Sequence, residues 1–372
     1  MLPAHRRPDP RSPRAFRQAG AVRARSPRGS AARGLCGALI ALLAATFPAD
    51  ARAQEGAQEG AQERAQEEVP VSAGAVWLEF AWPVGLSADV EATQRIVRRR
   101  GGADSDVTVR SRYRMTVRDH PRGLAVDHSD GALTGFQSDP PLDSDDPLVA
   151  TLEDLSDLTS TYIVSDDGML LDVEGLERGT EALREAFEPL VGEPDRVPGA
   201  AAPTERRGAA ISADAVKAAV AERWGSMVWF WAWEEFQPDS VYTFTAEVPS
   251  PMMPELIVPM EYRIGYLRLV ACHEGAAPDS CVHVEARTVP DPASASDFLE
   301  RFVAELAGSH GEESFQVDAY DQESRFGVTL EPATMIPHEF RMTRSVSVAT
   351  TENGESDLDT RFDETVLTFH YG

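Results

Sequence analysis

Val107-Thr108-Val109-Arg110-Ser111-Arg112-Tyr113-Arg114-Met115-Thr116-Val117-Arg118 decides the fold class of this 372-residue chain. Val107, Val109, Tyr113, Met115 and Val117 fall on one side. Thr108, Arg110, Arg112, Arg114, Thr116 and Arg118 fall on the other. A period of two held this long describes a strand with one buried and one wet face. Residues 75–82 alternate in the same way, with Val76, Leu78, Phe80 and Trp82 on one side. Further strands are expected at 89–99, 122–128, 159–165, 169–174, 241–248, 260–271, 281–289, 314–330, 338–350 and 360–371. Asp167-Gly168 and Asn353-Gly354 each sit between such runs, the strongest short-range hairpin signal, and Asp130-Gly131 reads as a third. Strands joined by tight turns are antiparallel.

Three helices are expected among the strands. Residues 176–191 place Leu183, Ala186, Phe187, Leu190 and Val191 on one stripe and stop at Gly192. Residues 213–235 follow Ser212, an N-cap type, and share a face of Val216, Ala219, Val220, Trp224, Met227, Val228 and Trp231. Residues 293–307 follow Asp291-Pro292 and align Phe298, Leu299, Phe302, Val303 and Leu306. Together these give an α+β fold: a long curved antiparallel sheet, a half-open barrel, packed against two to three helices. Residues 71–372 read as one domain, with 192–211 as the place where two sub-lobes would meet.

The amino-terminal segment supplies the compartment. Residues 1–34 hold nine arginines and one acidic residue, Asp9. An apolar run from Leu35 to Phe47 follows, and Ala51-Arg52-Ala53 completes an A-x-A pattern before Gln54. This order describes a cleaved signal peptide over 1–53, too short in its apolar part to span a bilayer, and a periplasmic or secreted product. Residues 54–70 are an acidic, low-complexity tether. Removing ten arginines and two acidic residues with the leader, from totals of 35 and 61, leaves a formal net charge of −34. Such a chain repels nucleic acid and anionic membrane surfaces at long range. It suits divalent cations or a basic partner.

Several chemistries are excluded by sequence. Lys217 is the single lysine and lies in Ala215-Val216-Lys217-Ala218, so there is no phosphate-binding P-loop. No G-x-S-x-G elbow occurs, and His338-Glu339 lacks the second histidine of a zinc-protease helix. Cys272 and Cys281 bracket a short loop between strands and read as a disulfide. Zinc at Cys272, His273, Cys281 and His283 is the rival reading, but adjacent strand residues point to opposite faces. The acidic loop Asp139, Asp143, Asp145, Asp146 lacks the glycine and terminal glutamate of a calcium loop. No cofactor and no resident metal are expected.

Two features are left as ligand candidates. Arg110, Arg112 and Arg114 could face an anionic group, although arginines on strands more often pair with neighbouring carboxylates. Trp224, Met227, Trp229, Trp231 and Trp233 crowd one segment, with Met252 and Met253 in a nearby Pro/Met run. They read either as a helix filling the core or as the wall of a pocket for an apolar ligand.

Tyr162-Ile163-Val164-Ser165-Asp166-Asp167-Gly168-Met169-Leu170-Leu171-Asp172-Val173-Glu174-Gly175, followed by a Leu-rich helix, resembles exported bacterial domains of unknown function. So does Ala333-Thr334-Met335-Ile336-Pro337-His338 leading into a Thr/Ser/Val strand. Those domains are similar in outline to periplasmic lipoprotein-carrier proteins, which fold as a half-open antiparallel barrel around helices. The resemblance implies that fold, an envelope compartment and binding of a lipid-like ligand, and it carries over no catalytic residue. The sequence reading is therefore a non-enzymatic envelope protein that binds an apolar small molecule or lipid between sheet and helices. Its alternatives are a module that recognises an envelope protein through its acidic surface, and a hydrolase with a site no motif marks.

Overall fold

Alternation of apolar and polar residues over 14 to 18 positions produces very long strands. The computed structural model describes residues 75–100, 103–141, 147–157, 159–177, 179–181, 213–232, 234–238, 240–249, 257–290, 315–352 and 355–372. The expected leader 1–53, the tether 54–70, the junction 192–211 and the helix 293–307 lie outside them. So do most of the helix 176–191, Asp143, Asp145, Asp146, Trp233, Met252 and Met253.

The strands run in chain order as β1 (Val76–Leu78), β2 (Ser87–Arg100), β3 (Ala103–His120), β4 (Gly123–Asp139), β5 (Ser160–Val164) and β6 (Leu170–Glu174). There follow β7 (Glu234–Phe236), β8 (Val241–Pro249), β9 (Ile257–Val270), β10 (Cys281–Pro290), β11 (Phe315–Leu330), β12 (Pro337–Glu352) and β13 (Glu355–Tyr371). Among the described residues, eleven strands form one antiparallel sheet in the order β6-β5-β4-β3-β2-β13-β12-β11-β10-β9-β8. The sheet is open, with β6 and β8 at its edges. It consists of two meanders joined where β2 pairs with β13, with Thr365 opposite Gln94. Tight connections fix the register. Arg100 faces Ala103 and Glu352 faces Glu355, so two residues separate each of these pairs of strands. At Asp167-Gly168 the chain turns with Gly168 at φ +87°, and a Cβ there would meet the Phe80 ring at 2.8 Å.

Three expectations need correction. Asp130-Gly131 is not a hairpin. Both residues lie inside β4, opposite the single residue Tyr113, with Asp130 at φ 53°. The pair is a bulge, and aspartate tolerates that conformation better than most residues. A Cβ on Gly131 would meet the Ser156 carbonyl oxygen at 1.7 Å, so the glycine is there to admit the end of a helix. That helix, α1 (Pro147–Ser156), was not expected at all. Second, the long helix 213–235 is shorter: α2 (Ala213–Trp224) passes into a π-helical turn, Gly225–Trp229, and Glu234–Phe236 is strand. Third, the strand over 75–82 shrinks to β1, which pairs with β7 in a separate two-stranded sheet. Leu78, Phe80 and Trp82 are nonetheless buried, as the alternation requires.

The core lies on one face of the large sheet. Val90, Val107, Met115, Val117, Val284, Val328, Phe340 and Leu367 are each no more than 2% exposed. Trp224 and Trp231 from the α2 segment join this cluster. Trp224 packs edge-on against Trp82 at 5.3 Å, and Trp231 lies 5.7 Å from Phe326 of β11. Both indoles find a partner as they are buried: Trp224 Nε1 donates to the Gly168 carbonyl at 2.8 Å and Trp231 Nε1 to the Ser226 carbonyl at 2.7 Å. The opposite face of the sheet carries the rows of alternating charge, while on the core side Arg344 pairs with Glu222 of α2.

Candidate functional site: a polar recess on the open face

Register turns the open face into ordered rows. One row reads Arg263 on β9, Arg287 on β10, Arg325 on β11, Thr343 on β12, Glu364 on β13 and Arg95 on β2. The next reads Gly265, Glu285, Gly327 and Arg341. The third reads Arg268, His283, Thr329, Glu339, Thr368 and Glu91. The β9–β12 members of these rows, with Thr368 of β13, floor a recess of about 1720 Å³. One end is walled by the loop at Cys272–Glu274, by Ile336 and His338, and by Phe369–Gly372.

The electrostatics of the recess differ from those of the chain. Five arginines, four glutamates and four of the chain's eight histidines line it, whereas the whole chain carries a net −26. Most of the arginines pair. Arg287 Nη2 meets Glu323 Oε2 at 2.6 Å, and Arg325 contacts the same carboxylate. Arg263 contacts Glu261, and Arg341 Nη2 meets Glu364 at 2.5 Å. The Arg287 hydrogen bond is the chief cause that holds the Glu323 carboxyl below its ordinary range. His283 is fixed at both nitrogens, Nδ1 to Thr329 Oγ1 and Nε2 to Glu285 Oε1, each at 2.9 Å.

The walled end holds the disulfide. Cys272 and Cys281 are bonded, as the sequence spacing implied. A His338 ring nitrogen and the two sulfurs lie within 4.8 Å of one another. The sulfurs are spent in the disulfide, so they offer no thiolate to zinc in this form. His338 Nε2 lies 3.3 Å from Glu331 Oε1, and its ring meets Tyr371 at 5.2 Å. Tyr371 donates to the Pro337 carbonyl at 2.6 Å, and burial raises its phenol well above the ordinary range.

The candidate residues read from the sequence separate into two places. Arg110, Arg112 and Arg114 are exposed on the open face, on β3, away from the recess. Arg114 Nη2 meets Asp89 at 2.8 Å, and Arg112 stands opposite Glu91. Arg114–Asp89 is a cross-strand ion pair of the kind strand arginines ordinarily make. Trp224, Met227 and Trp231 are buried on the other face, and Trp229 is half-buried. Beside Trp224 and Met227 lies a void of about 20 Å³, lined also by Tyr113, His128, Tyr162 and Arg223. That is room for about one water. Burial lowers the His128 imidazole to about 4 and raises the Tyr162 phenol to about 12.

The recess arginines were not singled out from the sequence, although a signal exists. Glu-x-Arg recurs on four successive strands: Glu261-Tyr262-Arg263, Glu285-Ala286-Arg287, Glu323-Ser324-Arg325 and Glu339-Phe340-Arg341. Residues two apart on a strand share a face, so each triplet puts one acid and one base on the open side. No family model and no curated protein matches this sequence.

Proposed function

We propose that the chain is an exported, non-catalytic binding protein whose ligand surface is the recess on the open face of β9–β13. Its support is one contrast: five arginines and four histidines gather with only four glutamates in a recess of about 1720 Å³ on a chain of net charge −26. Charges of both signs lie in ladders across several strands, which suits an elongated polar ligand making many hydrogen bonds. An oxidising compartment agrees with the Cys272–Cys281 disulfide, and the leader read over 1–53 would deliver the chain there.

A second reading keeps the apolar ligand expected from the sequence, with the sheet as a half-open barrel around its helices. The observation in its favour is the π-helical turn Gly225–Trp229, since such turns concentrate at functional sites. A lipid-sized ligand would then require α2 and this turn to lift from the sheet, because the void beside them is about 20 Å³.

The test is native mass spectrometry of the mature protein purified from the periplasm of its own host. A reproducible bound mass that disappears in Thr368→Trp, which fills the recess, supports the first reading. A bound mass that survives Thr368→Trp and disappears in Trp229→Gln supports the second and contradicts the first.

A further inference from the structure

We propose that Arg263, Arg287 and Arg325 form an oxyanion-binding row, and that the ligand of the recess carries phosphate or sulfate groups. The inference rests on the recess being the ligand surface, and it names the chemistry of what lies there.

Two observations carry it, and a third describes what borders the row. The first is the register. Arg263 stands opposite Arg287, and Arg287 opposite Arg325, on three adjacent antiparallel strands. Directly opposed residues in such a ladder have Cα atoms about 4.5–5.5 Å apart, and like charges placed so destabilise the sheet. Elsewhere on the same face the arrangement is the cheaper one: Arg114 faces Asp89 and Arg112 faces Glu91. Among the described residues three arginines stand in line in this register only at the recess, although two, Arg98 and Arg361, oppose each other across β2 and β13.

The second is the depth of the counter-charges. Glu261 and Glu323 are the carboxylates that touch the row, and their side chains are 17% and 24% exposed. The guanidiniums of Arg263, Arg287 and Arg325 are 54%, 45% and 64% exposed. The carboxylates lie beside the row on the same face and are more covered than the cations, whose side chains stand further into solvent. Asp321 also acts on Arg287, and Glu285 stands in the adjacent position, so what distinguishes the row is the exposure of its three guanidinium-bearing side chains. Guanidinium forks are matched to tetrahedral oxyanions, which they hold by paired hydrogen bonds.

The third is the floor beside the row. Gly265 and Gly327 flank Glu285, so two of the three positions next to the arginines carry no side chain. At Gly327 a Cβ would meet Glu285 Cγ at 3.1 Å and the Val284 carbonyl oxygen at 3.3 Å. A Cβ on Gly265 would likewise meet the Val241 side chain at 3.5 Å, so the two glycines make room for the Glu285 and Val241 side chains that border the row.

The test is calorimetric titration of the full mature chain at physiological ionic strength, where a screening length of about 8 Å removes the pull of distant charges. The probes are sodium tripolyphosphate and dextran sulfate, with neutral dextran as the blank. Binding of at least one anionic probe, weakened about tenfold by Arg287→Gln and by Arg325→Gln and unchanged by Arg114→Gln, is the expected result. The tighter probe tells whether phosphate or sulfate is preferred. Arg287→Lys keeps the charge and the fold but loses the fork, so it too weakens binding. Silence with both anionic probes overturns the proposal, as does binding that ignores Arg287→Gln, Arg325→Gln and Arg287→Lys alike. If the anionic probes fail while the bound mass blocked by Thr368→Trp persists, the oxyanion assignment falls and the recess stands. If neither is seen, both fall.

Discussion

Arg287 and Arg325 face each other across β10 and β11, and one carboxylate, Glu323, holds both guanidiniums. The pair would repel without that acid. The Arg287 hydrogen bond also holds the Glu323 carboxyl below its ordinary range.

Glu323→Gln should lower stability by about 1 kcal/mol, since it removes a carboxylate that serves two bases at a partly exposed site. Its folded pKa lies below the unfolded value, chiefly through the Arg287 hydrogen bond. The stabilisation is therefore complete above the ordinary glutamate range and fades as pH falls through the folded value. Urea midpoints of parent and variant should differ at pH 7 and converge near pH 3. A constant difference over that range would contradict the account.

His128 sets a second pH dependence, of different origin. Its ring packs against Tyr113 and Tyr162 at 5.3 and 4.3 Å, and burial, its largest cause, lowers its pKa to about 4. Asp127 opposes that shift and Arg223 adds to it. Between about pH 6.5 and 4 the unfolded chain takes up a proton that the folded chain refuses. Stability should fall in that window by an amount on the order of 1–3 kcal/mol and flatten below it. His128→Phe removes the titrating group, so the variant's urea midpoint should rise relative to the parent's from pH 7 to pH 5. Parallel curves would refute the assignment.

Trp224→Phe keeps an aromatic body in the core and removes one donor. The Gly168 carbonyl, held by Trp224 Nε1 at 2.8 Å, would be left without that bond. A cost of about 1–3 kcal/mol in denaturant unfolding is expected. Trp224→Ala should cost more, about 3–5 kcal/mol, because it also opens a cavity. Near-equal effects of the two substitutions would mean that the indole packs loosely.

Reduction of the Cys272–Cys281 bond, or its replacement by paired serines, should cost about 2–3 kcal/mol in the loop-entropy picture, since only nine positions separate the cysteines. Ligand binding should weaken as well, because the bridged loop walls one end of the recess. Unchanged affinity after reduction would remove that wall from the site.

Much of the sheet was readable from alternation alone. Val107 to Val117 gave the core face of β3 residue by residue, and Asp167-Gly168 and Asn353-Gly354 gave two connections, because turn chemistry is local. The bulge at Asp130-Gly131 was not readable. An Asp-Gly pair signals a backbone conformation, and whether that conformation reverses the chain or admits the end of α1 is decided by tertiary contact. The aromatic segment was read as ligand wall or core, and Trp224 and Trp231 lie in the core cluster. The recess escaped notice because its meaning is in the register: each Glu-x-Arg triplet looks like an ordinary solvated strand until β9, β10 and β11 align their arginines.

The most direct test of the central claim is histidine footprinting. Protein carrying its native ligand and protein stripped by denaturation and refolding would be labelled with diethyl pyrocarbonate and mapped by peptide mass spectrometry. His273 and His370 are exposed and line the recess. Both should lose reactivity in the loaded protein while His120, outside the recess, does not. Equal labelling of His273 and His370 in the two forms would contradict it and move the ligand to the tryptophan face.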